Sequence, residues 1–167
     1  YASPTDMGVN MVGNCIIDDE VCREASRQEI IRRYYKALVG VANGTSTMEE
    51  LGKIELLMSQ ENISVTDRPT VKPALDRAAG IGAPAVAIEL PDGRIITGKT
   101  GELLGASSAA LVNTLKELAG IPHEELILSP DALSPIQALK TNYLGSKNPR
   151  LHTDEVLIAL SATAAYN

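Results

Sequence analysis

The chain has 167 residues and a formal net charge of −6; 44% of it is hydrophobic but only 3% aromatic, with five Tyr and neither Phe nor Trp. That composition predicts a folded protein with an aliphatic core, and its acidity without a basic stripe or stacking aromatics argues against nucleic acid as a partner. No apolar run approaches the ~18 residues of a membrane span, no signal-like segment opens the chain, and Cys15 and Cys22 are too few for a disulfide framework, so a cytoplasmic protein with two buried thiols is expected.

In chain order, Thr5 caps a short helix from Asp6, with Asp6, Asn10 and Asn14 on one face and Met7 and Met11 on the next. Asp18 or Asp19 opens a long helix whose apolar stripe runs through Val21, Ala25, Ile30, Ile31, Tyr34, Leu38, Val41 and Ala42. A capping box follows, with Ser46 as cap and Glu49 reaching back, and the helix it opens buries Leu51, Ile54, Leu57 and Met58. Pro69 biases Arg68 toward extended backbone, which places a boundary there: a helical subdomain over 1–69 and a second domain over 70–167.

The second part changes period. Thr70 caps a helix through Ala79, with Pro73 in its first turn. Ala85 to Leu90 and Arg94 to Thr100 form a hairpin closed by a tight Asp92-Gly93 turn at positive φ. Ser107 to Ala119 is an Ala-rich helix, "EELIL" a third strand, and Asp131 to Leu144 a helix stopped by Gly145. After a polar loop, Thr153 caps a last helix, apolar on nearly every side and so buried. Helices on a small sheet predict an α/β protein: the helical subdomain, then a three-layer α/β/α sandwich.

The segments "SPTDMGVNM", "SRQEIIRRYYKAL", "AIELPDGRIITGKT" and "LGSKNPRLHTDEVLIALS" together resemble a bacterial family known only as a domain of unknown function (eighteen forty-six), whose members are sometimes labelled ATP-dependent zinc proteases. The resemblance runs along the whole chain and implies the C-terminal portion of a longer protein, following a domain with a glycine-rich, phosphate-loop-like stretch. The missing initiator Met fits that expectation. No Gly-x-x-x-x-Gly-Lys loop occurs in this chain, so no nucleotide or other cofactor is expected within it. The protease label finds no support: His-Glu-x-x-His is absent, and His123 and His152 lie far apart.

A second resemblance is to the cytidine deaminase sandwich, in which a hairpin leads into a helix carrying a His or Cys and a Glu, and a later helix opens with Pro-Cys-x-x-Cys. Here Ser108-Ala109-Ala110 and Pro130-Asp131-Ala132-Leu133-Ser134 fall at those places. The nitrogen and sulfur donors of a tight zinc site are missing, so no metal and no deamination are expected.

Candidate sites then rest on anion chemistry. Helix starts near Ser107 and Asp131 would face one crevice in such a sandwich, making Ser107 and Ser108, with Lys99 and Thr100 close in sequence, a seat for phosphate or carboxylate. The competing reading has Ser107 and Asp131 cap their own helices and Ser108 fill space. The strongest candidate is the loop before the last helix, where Lys147, Asn148, Arg150, His152 and Thr153 would hold an acidic ligand; its alternative is a solvated connection. Asp6, Asn10 and Asn14 are secondary candidates for a ligand or partner chain. No catalytic residue is assigned. The expectation is a ligand-binding or structural module that completes a site with the upstream domain, takes a small anionic ligand and self-associates. The alternative is part of an enzyme acting on a phosphorylated or carboxylated metabolite.

Overall fold

The computed structural model describes residues 18–166, with the side chain of Tyr166 left aside. The expected Thr5 helix, its Asp6, Asn10 and Asn14 face, and Cys15 lie outside them. The chain divides into two units, one ending at Arg68 and the other starting at Pro69.

In the first unit, Asp18 caps α1 (Asp19–Ala42), its carboxylate accepting from the N–H groups of Glu20 and Val21 at 3.1 and 3.0 Å. The second helix, α2 (Met48–Gln60), starts one residue later than expected. Thr47 is the cap: its hydroxyl accepts from Glu50 N at 3.2 Å and Glu50 reaches back to Thr47 N at 2.9 Å. The two helices bury Ile31 and Ala37 on one side and Leu51 and Met58 on the other. The expected stripe is only partly inside. Val21 is 63% exposed, and Leu38, Leu57 and Cys22 are also exposed. An open cleft of about 620 Å³ lies between Cys22, Ser26 and Ile30 of α1 and Leu57 and Ile63, which leaves Cys22 and Leu57 exposed along it. The 3₁₀ turn Val65–Asp67 is tied back to α1. Arg68 donates to both oxygens of Gln28, and Gln28 donates to Asp67 O at 3.0 Å.

The second unit opens with α3 (Val71–Ile81); Thr70 stands at its cap but makes no side-chain bond there. Strands β1 (Ala85–Glu89) and β2 (Ile95–Lys99) pair antiparallel, with Ala85 opposite Lys99 and Glu89 opposite Ile95. The turn is longer than a two-residue link. Leu90 and Arg94 close a Pro91-Asp92-Gly93 loop, and only Gly93 takes positive φ, at 83°. That is a type I turn followed by a left-handed residue, which suits Gly. Helices α3 and α4 (Ala106–Ala119) both pack on the hairpin, so its strands lack the alternation of a one-sided ribbon. The contact of α4 with β2 is close: a Cβ on Gly98 would meet the backbone of Ala110 and lie 2.7 Å from Ala106 O.

The expected third strand does not form. Residues 124–128 are turn and bend, and the carbonyls of His123 and Glu125, the acceptors a ladder would need, are taken by the Lys116 ammonium. Among the described residues, extended pairing elsewhere is a single parallel bridge, Leu104 with Leu151. The architecture of the described residues is therefore mixed α/β, mostly helical, with one two-stranded sheet. Helix α5 (Pro130–Ala138) is capped by Ser129, whose hydroxyl accepts from Ala132 N, and not by Asp131. Its α-helical bonding ends earlier than expected. Pro135 lacks an N–H for the Asp131 carbonyl, and Leu139–Tyr143 continue as a π turn. The last helix, α6 (Thr153–Tyr166), buries Val156 and Ala159 but leaves Leu157 and Ile158 exposed, so it is one-sided. Leu128, Leu133, Leu151, Val156 and Ala159 form the core here, with Leu104, Val112, Ile136 and Leu160 against it. Burying a side chain such as Leu151 or Val156 is worth about 2 kcal/mol.

Candidate functional site

The polar loop between α5 and α6 is fixed from within. Leu151 is fully buried, and its backbone is clipped on both sides. Its N–H donates to Leu103 O at 2.9 Å, and its carbonyl accepts from Gly105 N at 3.2 Å and from the Ser108 hydroxyl at 2.8 Å. Beside it the Arg150 carbonyl accepts from Lys140 Nζ at 2.7 Å, and Lys140 also meets Glu155 at 2.8 Å. Glu155 in turn accepts from His152 N at 2.7 Å. Burial pushes the Glu155 carboxyl up, but the hydrogen bonds from Lys140 and His152 N outweigh it and hold it below the usual carboxylate range.

This places each candidate. Ser108 is buried and its hydroxyl is committed to Leu151 O, so it holds the clip. Ser107 is exposed in the first turn of α4, while Gly105 stands at the cap. Lys147, Asn148, Arg150, His152 and Thr153 are all exposed. Thr153 is the first residue of α6, and Glu155 makes the backward reach to the loop. Asn148 Oδ1 accepts from Arg150 N at 3.1 Å, and Arg150 Nε donates to Gly101 O at 2.7 Å. The loop thus presents its cations from a rigid backbone, and Arg150 is drawn to the segment after β2.

That segment borders a cleft of about 640 Å³, lined among others by Arg77, Lys99, Gly101, Glu102, Asn113 and His123. Arg77 and Lys99 make no ion pair among the described residues. Asn113 donates to Thr97 O at 2.9 Å, fixing α4 to β2 at the cleft floor. A second hollow of about 210 Å³ adjoins it, sharing Leu103, Leu104, Asn113 and His123 and adding Val112, Leu126, Leu128 and Lys116. Lys99 is legible in the sequence beside the anion seat; Arg77 and Asn113 of the cleft and Lys116 of the hollow are not, because they come from three helical positions without a local motif. One signal does exist: Lys116 follows Val112 by one helical turn, on an inward row.

The starts of α4 and α5 line different clefts. Ala109 borders the one just described. Ser129, Asp131 and Ala132 border an apolar hollow of about 510 Å³ with Ile136, Ile158 and Ala162. Among the described residues no three His, Cys, Asp or Glu side chains converge, and no helix is long and apolar enough to cross a membrane.

Comparison with known sequences decides the family. Residues 1–62 match the model described as "Domain of unknown function DUF1846, N-terminal", and residues 66–167 match "Domain of unknown function DUF1846, C-terminal". The chain belongs to the DUF1846 family. It carries sequence of both DUF1846 domains, where the resemblance implied the C-terminal portion alone. Among similar DUF1846 relatives, a UPF0371 protein of Corynebacterium aurimucosum is 61% identical over 166 residues, covering 99% of this chain and 33% of that protein. One from Corynebacterium glutamicum is 58% identical over 165 residues, covering 99% and 33%. One from Streptococcus thermophilus is 52% identical over 167 residues, covering 100% and 34%. The chain spans about a third of the length of these relatives.

Proposed function

We propose that this chain supplies a binding module for a small anionic ligand, at the cleft beyond β2, within a longer protein whose other parts complete the site. The observation that carries this reading is the arrangement of cations round one fixed edge. Arg77 and Lys99 line the cleft, and Arg150 is held at Gly101 by its Nε, leaving both Nη groups without a partner among the described residues. Planar guanidinium groups with unspent donors suit carboxylate and phosphate oxygens. Glu102 lines the same cleft without pairing to these cations, and its carboxylate opposes part of their field. A deaminase-like scaffold for the second unit is compatible with this use of the hairpin and α4. Ser108 and Ser134, at two of the places where that scaffold carries zinc ligands, spend their hydroxyls on the carbonyls of Leu151 and Pro130.

The test is calorimetric titration with inorganic phosphate. Lys99→Ala and Arg150→Ala are each expected to weaken binding about tenfold, the effect of one charge-assisted contact of about 1.4 kcal/mol, while the unfolding midpoint of Lys99→Ala stays within error. Equal phosphate binding by both variants and the parent sinks the proposal.

A further inference from the structure

The small hollow next to the cationic cleft has a composition that packing alone does not explain. Its walls are largely aliphatic, with Leu103, Leu104, Val112, Leu126 and Leu128 among them, yet Lys116 lines it together with Asn113, His123 and Glu125. Lys116 is only 6% exposed, and no carboxylate partners it among the described residues. Its ammonium is held by the carbonyls of His123 and Glu125, which account for two of its three donors. A buried ammonium without a counter-charge is costly to keep, and the two carbonyls that hold it leave its positive charge unneutralised. The apolar surface is also presented outward: Leu126 is 84% exposed and Leu103 50%. The hollow and the cleft meet at Leu103, Leu104, Asn113 and His123.

We infer that the ligand of this site is an acid with a short apolar body: a phosphate or carboxylate head at Arg77 and Lys99, and an aliphatic chain or ring against the leucines, under the positive field of Lys116. This inference rests on the anion-binding reading above and adds the class of ligand to it. Apolar walls with a few placed polar groups are the ordinary make-up of a small-molecule site.

The experiment compares inorganic phosphate with n-hexyl phosphate on the 167-residue chain, by calorimetry in one buffer. Hexyl phosphate is expected to bind at least about tenfold more tightly, the gain from burying two methylenes. Leu126→Asn and Leu103→Asn, both at exposed positions, are expected to remove most of that advantage, and Leu126→Asn, which does not line the phosphate cleft, to leave phosphate affinity unchanged. If hexyl phosphate binds no more tightly than phosphate, or keeps its advantage in both variants, the apolar half of the site is wrong and the anion reading stands alone. If neither compound binds, both readings fall.

Discussion

In the first unit the Glu29 carboxylate accepts from Arg32 at 2.7 Å and from Arg33 at 2.9 Å, with all three side chains 41% exposed or more. In the second unit Lys140 meets Glu155 at 2.8 Å, and those side chains are 9% and 21% exposed. The geometry is alike and the surroundings are opposite. Pairs in water contribute little, because solvent screens them and long side chains lose freedom in making them. The α1–α2 hairpin therefore depends on a thin apolar seam, and its Arg23–Glu20, Arg27–Glu24 and Lys53–Glu49 pairs add little to it. A pair removed from water is expensive to break, since one partner is left charged and buried. Charge in the second unit thus holds the backbone of the loop that carries the candidate ligands.

Substitutions can break that contrast. Lys140→Ala is expected to cost most, about 3 kcal/mol in urea unfolding, because Glu155 and the Arg150 carbonyl lose their donor together. Lys140→Met paired with Glu155→Leu removes the orphaned charge and should recover much of the loss; failure to recover would show that the bonds to the Arg150 carbonyl and from His152 N, which an apolar pair cannot make, hold the loop. Gly98→Ala comes next, at about 2 kcal/mol, since the new methyl meets the α4 backbone, which has to move. Glu29→Gln is the smallest: no resolvable change in midpoint at pH 7. Its acid titration sharpens the point. Hydrogen bonds from Arg32 first, then Arg33, lower the Glu29 carboxyl to about 2. A group lowered in the folded state contributes above its unfolded value and loses that contribution as pH falls toward its folded one. Any effect of Glu29 on stability therefore fades only from about pH 4.5 down to about pH 2, and carboxyl NMR shifts through that window check it.

What the sequence discloses divides along the same line. The hairpin is legible because two short apolar runs flank a turn that needs Gly93, and both signals are local. The α2 cap slips by one because Ser46 and Thr47 each have a glutamate three residues on, Glu49 and Glu50, so two capping boxes read equally well. "EELIL" misleads for a physical reason: a short apolar run fits a strand or a core-lining turn, and the choice falls to Lys116, which claims the carbonyls of the preceding turn. Of the candidate residues, the loop cations are legible as an exposed polar cluster. That Ser108 is a clip is not, because its partner Leu151 is 43 residues away and nothing near Ser108 announces it.

That clip has a kinetic side. The bonds that seat Leu151 and Arg150 join residues 43 and 49 apart, so a long stretch of chain must be ordered before either forms. Closure entropy delays such contacts in folding, and distant pairings slow the approach to the native state. Interactions made after the main barrier chiefly set the rate of unfolding. The Leu151 clip is therefore a late latch: it governs how long the cation-bearing loop stays in place once formed, more than how fast the unit folds.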